Sequence, residues 1–466
     1  MLTLCGFIPL WIISATSSPS NSVWVGAWIA TAIAGARFAW LIVVPERRLY
    51  EMATWLFFYV FLGIAPMVQI REGIDPDTTR NLSHEYDLAA VAVVIVAEVA
   101  LLIGLTVRAR DSIEHAAPKR VVDRTRTVLY SFAVVGAALA YAALIGFSVL
   151  FAPRTVRGAA AAQAVGDDVV GTVIRGFVTF GLLIAVIAQI YNWRERRESD
   201  QNRTLFLIVV SIAVLALMVN PIASPRYVFG VVALGLVGAF GAYSTLRRYR
   251  VVSISAVAGI MLLFPVLDSF RHEAGKIESI DPIGAFLTGD FDAFAQIVNT
   301  LEHVATHGLS YGYQLLGVPL FWVPRSVWPS KPVDTGILLA ETKGYWFTNL
   351  SAPLPAELFI NGGWVLLIIG MIAFGFLVRR LDRGSQIAGG SGFPSMLGCV
   401  VPFYLLLLLR GSLLQSMANL AVILVSWFLV TRPSGSHATR ASRSKHRAAA
   451  PVARQPRSGH GSSLAN

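Results

Sequence analysis

Seven arginines could bind an anion, because each one borders or interrupts an apolar stretch of the chain. They are Arg154, Arg157, Arg175, Arg226, Arg271, Arg325 and Arg410. Arginine carries a permanent charge on a planar fork of N–H donors, which matches the oxygens of a phosphate group. The sequence therefore predicts a phosphate or pyrophosphate site if the fold brings several of them to one side.

A second set of residues could transfer protons, and it comprises His272, Glu273, Glu302, His303, His307 and Glu357. Histidine titrates near neutral pH, and a partly buried carboxylate can be tuned to do so. The two cysteines, Cys5 and Cys399, lie in apolar runs without metal-ligand spacing. No HExxH, GxSxG, P-loop or EF-hand pattern occurs in the sequence. We therefore expect neither a bound metal nor a cofactor.

The elements that carry these residues have the composition of a membrane protein. The chain has 466 residues, of which 55% are apolar and 14% are charged. A soluble domain has about 25% charged residues. This difference argues against a soluble enzyme, a disordered regulator and a nucleic-acid-binding module, so we expect membrane lipid and no nucleic acid as partners.

The apolar runs predict an all-α polytopic membrane protein with about twelve transmembrane helices in residues 1–431. A helix needs about 20 mostly apolar residues to cross the hydrocarbon region. The candidate runs are approximately 2–15, 23–44, 50–70, 88–107, 128–151, 169–191, 204–221, 226–246, 251–269, 357–378, 392–409 and 411–430.

The distribution of Lys and Arg predicts the orientation of the chain. Loops rich in basic residues alternate with loops that have few, so the positive-inside rule places both termini in the cytoplasm. We expect a multi-pass protein of the cytoplasmic (inner) cell membrane. Residues 432–466 contain seven basic and no acidic residues and few large apolar ones. We expect this segment to be a disordered basic tail.

The segment at about 270–356 then forms one large extracytoplasmic loop. It contains an apolar repeat at helical spacing, made of Phe291, Phe294, Ile297, Val298, Leu301 and Val304. This repeat predicts an amphipathic helix, with Asp290 as its N-cap, that lies along the membrane surface or packs on the bundle. The seven arginines also fall on this side, where positive charge is disfavoured.

Arg37, Glu51 and Glu98 are ionisable residues within the apolar runs themselves. Arg37 and Glu51 are near the predicted cytoplasmic ends, where the arginine can extend to the interface. Glu98 lies at mid-helix. Because charge is costly there, Glu98 is either a hydrogen-bonded carboxyl of the bundle or a proton-coupling group.

The order of short motifs in the second half of the chain suggests a family. The motifs are Tyr311-Gly312, Pro324-Arg325, Trp328-Pro329, Lys331-Pro332, Glu357 with Asn361-Gly362, and Arg410-Gly411. In this order they resemble the O-antigen and oligosaccharide repeat-unit polymerases (Wzy type). The likeness covers about a quarter of the chain, from Gly289 to Gly363 and around Arg410, whereas the first 250 residues agree only in hydropathy.

The resemblance implies a membrane glycosyltransferase that transfers a glycan from a polyprenyl-pyrophosphate carrier to the next lipid-linked repeat unit. It implies no cofactor, with a chain-length regulator protein as a possible partner. The implied roles are pyrophosphate binding by Arg175, Arg226, Arg271, Arg325 and Arg410, general base catalysis by Glu357, His303 or His272, and sugar binding by Tyr311, Trp328, Lys331 and Asn361.

Two other functions stay open at this point. A ligase that delivers the finished glycan to its acceptor would share the arginines and the base. A flippase for the same lipid-linked sugar would need charges along a cavity at mid-membrane depth, where this sequence places only Glu98.

Overall fold

The computed structural model describes residues 1–17, 21–107, 120–166, 168–194, 201–220, 223–263, 283–388 and 395–433. These residues are mostly helical, with two short strands. The helices are α1 (Ile8–Ala15), α2 (Val23–Val43), α3 (Leu49–Tyr59), α4 (Ala65–Glu72), α5 (Asp87–Thr106), α6 (Arg124–Ile145), α7 (Arg154–Val165), α8 (Val169–Gly176), α9 (Leu182–Arg194), α10 (Gln201–Met218), α11 (Arg226–Ala239), α12 (Leu246–Ala258), α13 (Ala293–His307), α14 (Tyr313–Gly317), α15 (Thr335–Lys343), α16 (Leu354–Ala388), α17 (Met396–Arg410) and α18 (Leu413–Val430).

Shorter elements join or extend these helices. Four π-helical segments and four 3-10 turns occur in the described residues, at Thr3–Phe7, Val60–Ile64, Phe177–Gly181, Gly259–Leu263, His84–Tyr86, Phe147–Phe151, Gly284–Leu287 and Gly289–Phe291. The π-helical segments continue α3 into α4 and α8 into α9 without a break, so each pair forms one long apolar rod.

In the described residues, seven helices are long and apolar enough to cross a membrane, and some of them consist of joined elements. They are Val23–Val43, Leu49–Glu72, His84–Thr106, Arg124–Ile145, Val169–Arg194, Leu354–Ser385 and Leu413–Val430. Shorter apolar helices occur at Thr3–Ala15, Asn202–Met218, Arg226–Ala239 and Met396–Arg410. This composition agrees with an all-helical membrane protein, while the number of about twelve spans stays a prediction.

The core forms around the rod Leu49–Glu72, whose apolar window is buried throughout. Helices α2, α16 and α17 pack against it. Helix α16 also packs closely on α5, where a Cβ added to Gly104 would come within 2.1 Å of the Ile372 carbonyl oxygen. Small residues allow helix backbones to approach in this way, which strengthens packing where lipid removes the hydrophobic driving force.

The basic loops meet at one side of the bundle. Arg47 donates a hydrogen bond of 2.8 Å to the carbonyl oxygen of Tyr243, and Arg250 donates one of 2.8 Å to that of Val43. We call this side the basic end, defined by Arg47 and Arg250. It is the side that the charge pattern assigns to the cytoplasm.

The long loop lies at the opposite side. Arg71 donates to the Thr16 hydroxyl at 2.6 Å, and Gln69 donates to the carbonyl oxygen of Phe286 at 2.8 Å. These contacts join the first predicted outer loop, the end of α4 and the long loop. We call this side the loop end, defined by Thr16, Arg71 and Phe286.

Two of the charges within the apolar runs neutralise each other. Arg37 Nε donates to Glu51 at 2.7 Å, and Arg48 Nη1 donates to the same carboxylate at 3.2 Å. Glu51 is fully buried, whereas the side chain of Arg37 keeps 22% of its exposure. Because a buried carboxylate with two cationic partners is compensated, Glu51 has a structural explanation.

The C-terminal boundary differs slightly from the predicted one. Thr431–Pro433 forms a strand, β2, that pairs antiparallel with β1 (Arg120–Val122). Arg432 and Pro433 are therefore ordered by pairing rather than part of a disordered tail. Residues 434–466 of the predicted tail lie outside the described residues.

Glu98 has no such compensation. It is fully buried in α5, and both carboxyl oxygens lack a hydrogen-bond partner among the described residues. A buried polar group without a partner costs about 1–3 kcal/mol. The cost applies to either protonation state, because neither oxygen finds a donor or acceptor.

We therefore expect Glu98→Met to stabilise the protein by about 1–3 kcal/mol, because it removes an unpaired polar group from an apolar site. Thermal unfolding in one detergent measures the effect. Gln189→Met is the matched control, since the buried Gln189 amide donates to the hydroxyls of Ser131 (2.7 Å) and Ser211 (3.0 Å). That control should lower the unfolding temperature, and a lower temperature for Glu98→Met would contradict the interpretation.

Candidate anion-binding site

The turn that precedes α13 brings two of the predicted arginines together. Arg410, the last residue of α17, donates from Nε to the Asp290 carbonyl oxygen (3.0 Å) and from Nη2 to that of Gly289 (3.0 Å). Arg226, the first residue of α11, binds the Asp290 carboxylate through Nη1. The structure thus joins the ends of α11 and α17 at one short segment, Gly289–Asp292.

Asp292 holds this turn at its buried end. Its carboxylate accepts from Arg410 Nη2 at 3.2 Å and from the Ser351 backbone N–H at 3.1 Å. Burial raises the pKa of Asp292, and the charge of Arg410 and the hydrogen bonds of Ser351 oppose that shift. Arg410 in turn accepts a hydrogen bond at its own carbonyl oxygen from the Ala352 N–H (3.0 Å). Its backbone and side chain are therefore both fixed.

The charged residues of the cluster differ in how much of each side chain is exposed. The Asp290 side chain is 33% exposed and that of Arg410 is 25% exposed, whereas Asp292 is only 2% exposed. Arg410 uses Nε and Nη2 in its contacts, and its Nη1 makes none with the described residues. The outer face of the cluster thus presents one carboxylate and one guanidinium edge.

A third arginine is close to the same place. The Tyr227 hydroxyl interacts electrostatically with both Arg154 and Arg410. Arg154 begins α7 and is exposed. Arg226 and Arg410, with Arg154 nearby, are therefore the candidate residues for binding an anion.

Glu357 fixes the other side of the Arg410 turn. Its carboxylate accepts from the hydroxyls of Thr335 (2.9 Å) and Ser412 (2.9 Å) and from the Leu413 N–H (3.1 Å). Glu357 is 2% exposed. In this conformation the carboxylate holds the start of α18, and with it Arg410, in position. Its predicted role as a general base stays a prediction.

A second carboxylate, Asp334, lies next to the Glu357 cluster. It caps α15 by accepting from the Gly336 N–H at 2.8 Å, while its buried Oδ2 has no hydrogen-bond partner among the described residues. Burial raises the pKa of Asp334 to about 6, and the nearby donors of Gly336, Ile337 and Ser412 oppose that shift. Folding therefore favours the protonated form of Asp334.

This pKa predicts how the stability depends on pH. Between about pH 4 and 6 the native state holds the Asp334 proton that the unfolded chain has lost, so this residue destabilises the fold as the pH rises through that window. Asp334→Asn keeps the cap and removes the titration. We expect the variant to gain stability over the wild type from pH 4 to 7, on the order of 2 kcal/mol. Urea unfolding at several pH values measures this, and a constant difference would refute it.

Helix α16 is broken where the predicted Asn-Gly motif lies. Gly362 and Gly363 have non-helical backbone angles, and Gly363 has φ +60° and ψ −148°, which favours glycine. The break separates a short first part of α16, which carries Glu357 and Asn361, from the long remainder. Asn361 therefore sits at the joint.

The Asn361 side chain uses both of its groups within the protein. Its carbonyl oxygen accepts from the Ser310 hydroxyl (2.9 Å) and the Leu315 N–H (3.1 Å), and its amide donates to the Glu357 carbonyl oxygen (2.8 Å). These bonds hold the tyrosine-glycine turn, where Tyr311 has φ +49° and is 86% exposed. Asn361 thus presents Tyr311 to the outside, and sugar binding by either residue stays a prediction.

The proline-rich stretch is held together by its two cationic residues. Arg325 donates to the carbonyl oxygens of Lys331 (2.6 Å) and Pro332 (3.2 Å). The Lys331 ammonium donates back to those of Phe321 (2.5 Å) and Val323 (3.0 Å). Burial lowers the pKa of Lys331, and the charge of Arg325 adds to the effect. Both side chains thus brace the loop, which is separate from the Gly289–Asp292 turn in these contacts.

Trp328 also makes contacts within the proline-rich stretch. Its indole N–H donates to the Ser330 hydroxyl at 3.1 Å, and its ring meets that of Tyr313 edge-on at 6.2 Å between centroids. The loop rests on the site at Gly317, where an added Cβ would lie 2.7 Å from Pro332 and 3.6 Å from Leu414. Pro332, at the end of the proline-rich stretch, therefore lies near the start of α18, and sugar binding by Trp328 stays a prediction.

Arg175 is not part of this cluster. It donates to the Gly166 carbonyl oxygen at 3.0 Å and to the Thr172 hydroxyl at 3.2 Å, within its own loop and helix. Arg271 and His272, which the sequence also assigns to the site, lie outside the described residues.

His303 lies at the far end of α13. It follows Asp292 by eleven residues, which corresponds to roughly 16 Å along a helix axis. Its Nδ1 is 3.1 Å from the Thr342 hydroxyl, and its ring stacks on His307 at 4.7 Å. Burial lowers the pKa of His303, and the neighbouring His307 adds to the effect. The histidine is thus separated from the arginine pair.

One residue of the site has a different role from the predicted one. The sequence places Asp290 as the N-cap of the amphipathic helix, but α13 begins at Ala293 and its N-cap position is Asp292. The Asp290 carboxylate instead pairs with Arg226. The sequence Gly-Asp-Phe-Asp contains two aspartates, and only one of them can be the N-cap. This was the signal that the other aspartate could form an ion pair.

Comparison of the chain with protein-family models, curated proteins and solved structures finds no match.

Proposed function

We propose that the protein is a membrane glycosyltransferase that polymerises polyprenyl-pyrophosphate-linked oligosaccharide repeat units on the outer side of the cytoplasmic membrane. The observation that carries the proposal is the meeting of Arg226 and Arg410 at one partly exposed turn of the loop end. Phosphate chemistry requires such convergent donors, and a lipid-linked substrate requires them beside apolar helices.

The proposed reaction transfers a glycan between two lipid carriers. A hydroxyl oxygen of the acceptor repeat unit bonds to the anomeric carbon of the donor, and the bond from that carbon to the pyrophosphate oxygen breaks. The polyprenyl pyrophosphate leaves with the bonding electron pair. Arg410, Arg226 and Arg154 would stabilise the charge that develops there, which is commonly the largest contribution of an active site.

The acceptor hydroxyl must also lose its proton. Among the carboxylates at the arginine pair, Asp290 is the one whose side chain is substantially exposed. Glu357 is enclosed by three donors, and His303 is at the far end of α13. We therefore propose that Asp290 accepts the proton of the acceptor hydroxyl and that Glu357 positions Arg410.

Two alternatives share part of this chemistry. A ligase that moves the finished glycan would use the same arginines and base. A flippase for the lipid-linked sugar would use mid-membrane charges, and Glu98, which lies in the apolar window of its helix, has no cationic partner among the described residues. The arginine pair at the loop end favours a transferase over a flippase.

Deletion of the gene, followed by complementation and electrophoresis of the surface glycan, tests the proposal. A polymerase deletion leaves glycans of one repeat unit and removes the long chains. Long chains that are made but not attached would support the ligase, and the loss of even the single repeat would support the flippase. A chain-length regulator, if it is a partner, would alter the length distribution of the restored chains without abolishing them.

A further inference from the structure

A cleft at the basic end combines apolar walls with arginines that form no ion pair among the described residues. It has a volume of about 640 Å³ and lies between the end of α11 and the start of α12. Its apolar walls include Val237, Phe240 and Val251, each of which is about half exposed. Arg247 and Arg248 border the same cleft.

The start of α12 carries an unusual excess of positive charge. Its first turn contains no acidic residue, although a helix N-terminus is itself positive and is normally stabilised by carboxylates. Arg247, Arg248 and Arg250 form no salt bridge with any residue in the described ranges. An external anion at this position would relieve the repulsion.

The turn between the helices is held in place by other groups. Arg47 donates to the carbonyl oxygens of Tyr243 (2.8 Å) and Ser244 (2.7 Å). Within the described ranges, the Arg248 guanidinium makes two long contacts, 3.3 Å to the Gly241 carbonyl oxygen and 3.4 Å to the Ser244 hydroxyl. The side chains at the cleft are therefore more weakly engaged than the Arg47 guanidinium that supports them.

We propose that this cleft binds one anionic phospholipid, with the phosphate at Arg247 and Arg248 and an acyl chain along Val237, Phe240 and Val251. The combination of charge and apolar wall selects such a lipid, because a zwitterionic lipid would not neutralise the arginines and a free phosphate would not fill the wall. The site is on the opposite side from the glycan-transfer cluster, so it does not depend on the proposed function.

The test uses the full-length protein, purified in a neutral detergent, and native mass spectrometry. Phosphatidylglycerol and phosphatidylcholine with identical acyl chains are titrated separately. We expect phosphatidylglycerol to bind in a 1:1 complex and more tightly than phosphatidylcholine. Each arginine near an anionic lipid surface contributes about a factor of five in affinity, so Arg247→Gln with Arg248→Gln should weaken binding roughly 30-fold.

Two further variants separate the parts of the site. Val251→Trp fills the cleft without a change in charge and should also weaken the binding. Arg203→Gln with Arg380→Gln removes two exposed arginines elsewhere and should leave it unchanged. Equal affinity for the two lipids would overturn the proposal, as would an equal loss in the control pair. Full competition by inorganic phosphate would also overturn it, because that result would assign the site to a free anion.

Discussion

An Arg410→Lys variant should accumulate glycans of a single repeat unit, with chain elongation reduced by roughly 10²–10³-fold. Arg410 contacts two carbonyl oxygens and the Asp292 carboxylate at once, with one donor group left toward the outside. The lysine ammonium is a point charge that cannot reproduce this fork. Electrophoresis of the glycan from complemented deletion cells measures the result, normalised to the amount of protein in the membrane.

Loss of the fold must be separated from loss of chemistry at this position. Arg410→Ala alone leaves the buried Asp292 carboxylate without its cation, which costs about 3–5 kcal/mol. The double variant Arg410→Ala with Asp292→Asn removes both charges and should restore most of the stability but no elongation. Arg175→Lys is the matched control, because Arg175 binds its own loop. Normal chains from the double variant would exclude Arg410 from pyrophosphate binding.

An Asp290→Asn variant should fold normally and lose elongation by roughly 10²–10⁴-fold, the usual contribution of a general base. The amide oxygen of asparagine can still accept the hydrogen bond of Arg226, so the turn keeps its shape. What disappears is the ability to take a proton from the acceptor hydroxyl. In-vitro elongation with lipid-linked repeat units measures the rate directly.

The neighbouring residues provide the comparison for Asp290. Asp292→Asn removes a buried partner of Arg410 and should affect stability more than the chemical step. His303→Ala changes a side chain at the far end of α13 and should leave elongation within about threefold of the wild type, since it is not expected to contact the reacting atoms. A normal rate for Asp290→Asn together with inactivity of His303→Ala would transfer the base role to the histidine.

The sequence was sufficient for the features that depend on local pattern. Long apolar runs identify the helices, and Arg410-Gly411 marks the break between α17 and α18. The apolar repeat after Phe291 identifies α13, which buries its first nine residues against the bundle. The helices follow from the periodicity of apolar residues, and the break follows from the two separate apolar runs on either side of Arg410-Gly411, where Gly411 has an extended backbone.

The partners of the charged residues could not be predicted in the same way. Arg226 and Asp290 are 64 positions apart, and Arg410 and Asp292 are 118 apart. No local rule connects residues at such separations, so the sequence located the arginines without the carboxylates that orient them. The sequence also grouped Arg175 and Arg325 with this pair, because it predicts their charge and the side of the membrane on which they lie. It does not predict that backbone carbonyl oxygens of their own loops bind them.

The break at Gly362 and Gly363 divides α16 into two pieces that are fixed by different contacts. The long piece is locked to α5 through the close glycine contacts at Gly104 and Gly375. The short piece, from Leu354 to Asn361, carries Glu357, which holds the start of α18. It is joined to the long piece by two glycines, which have no side chains. The position of the short piece relative to the long piece therefore depends on the hydrogen bonds of Glu357 and Asn361 and not on a continuous helix.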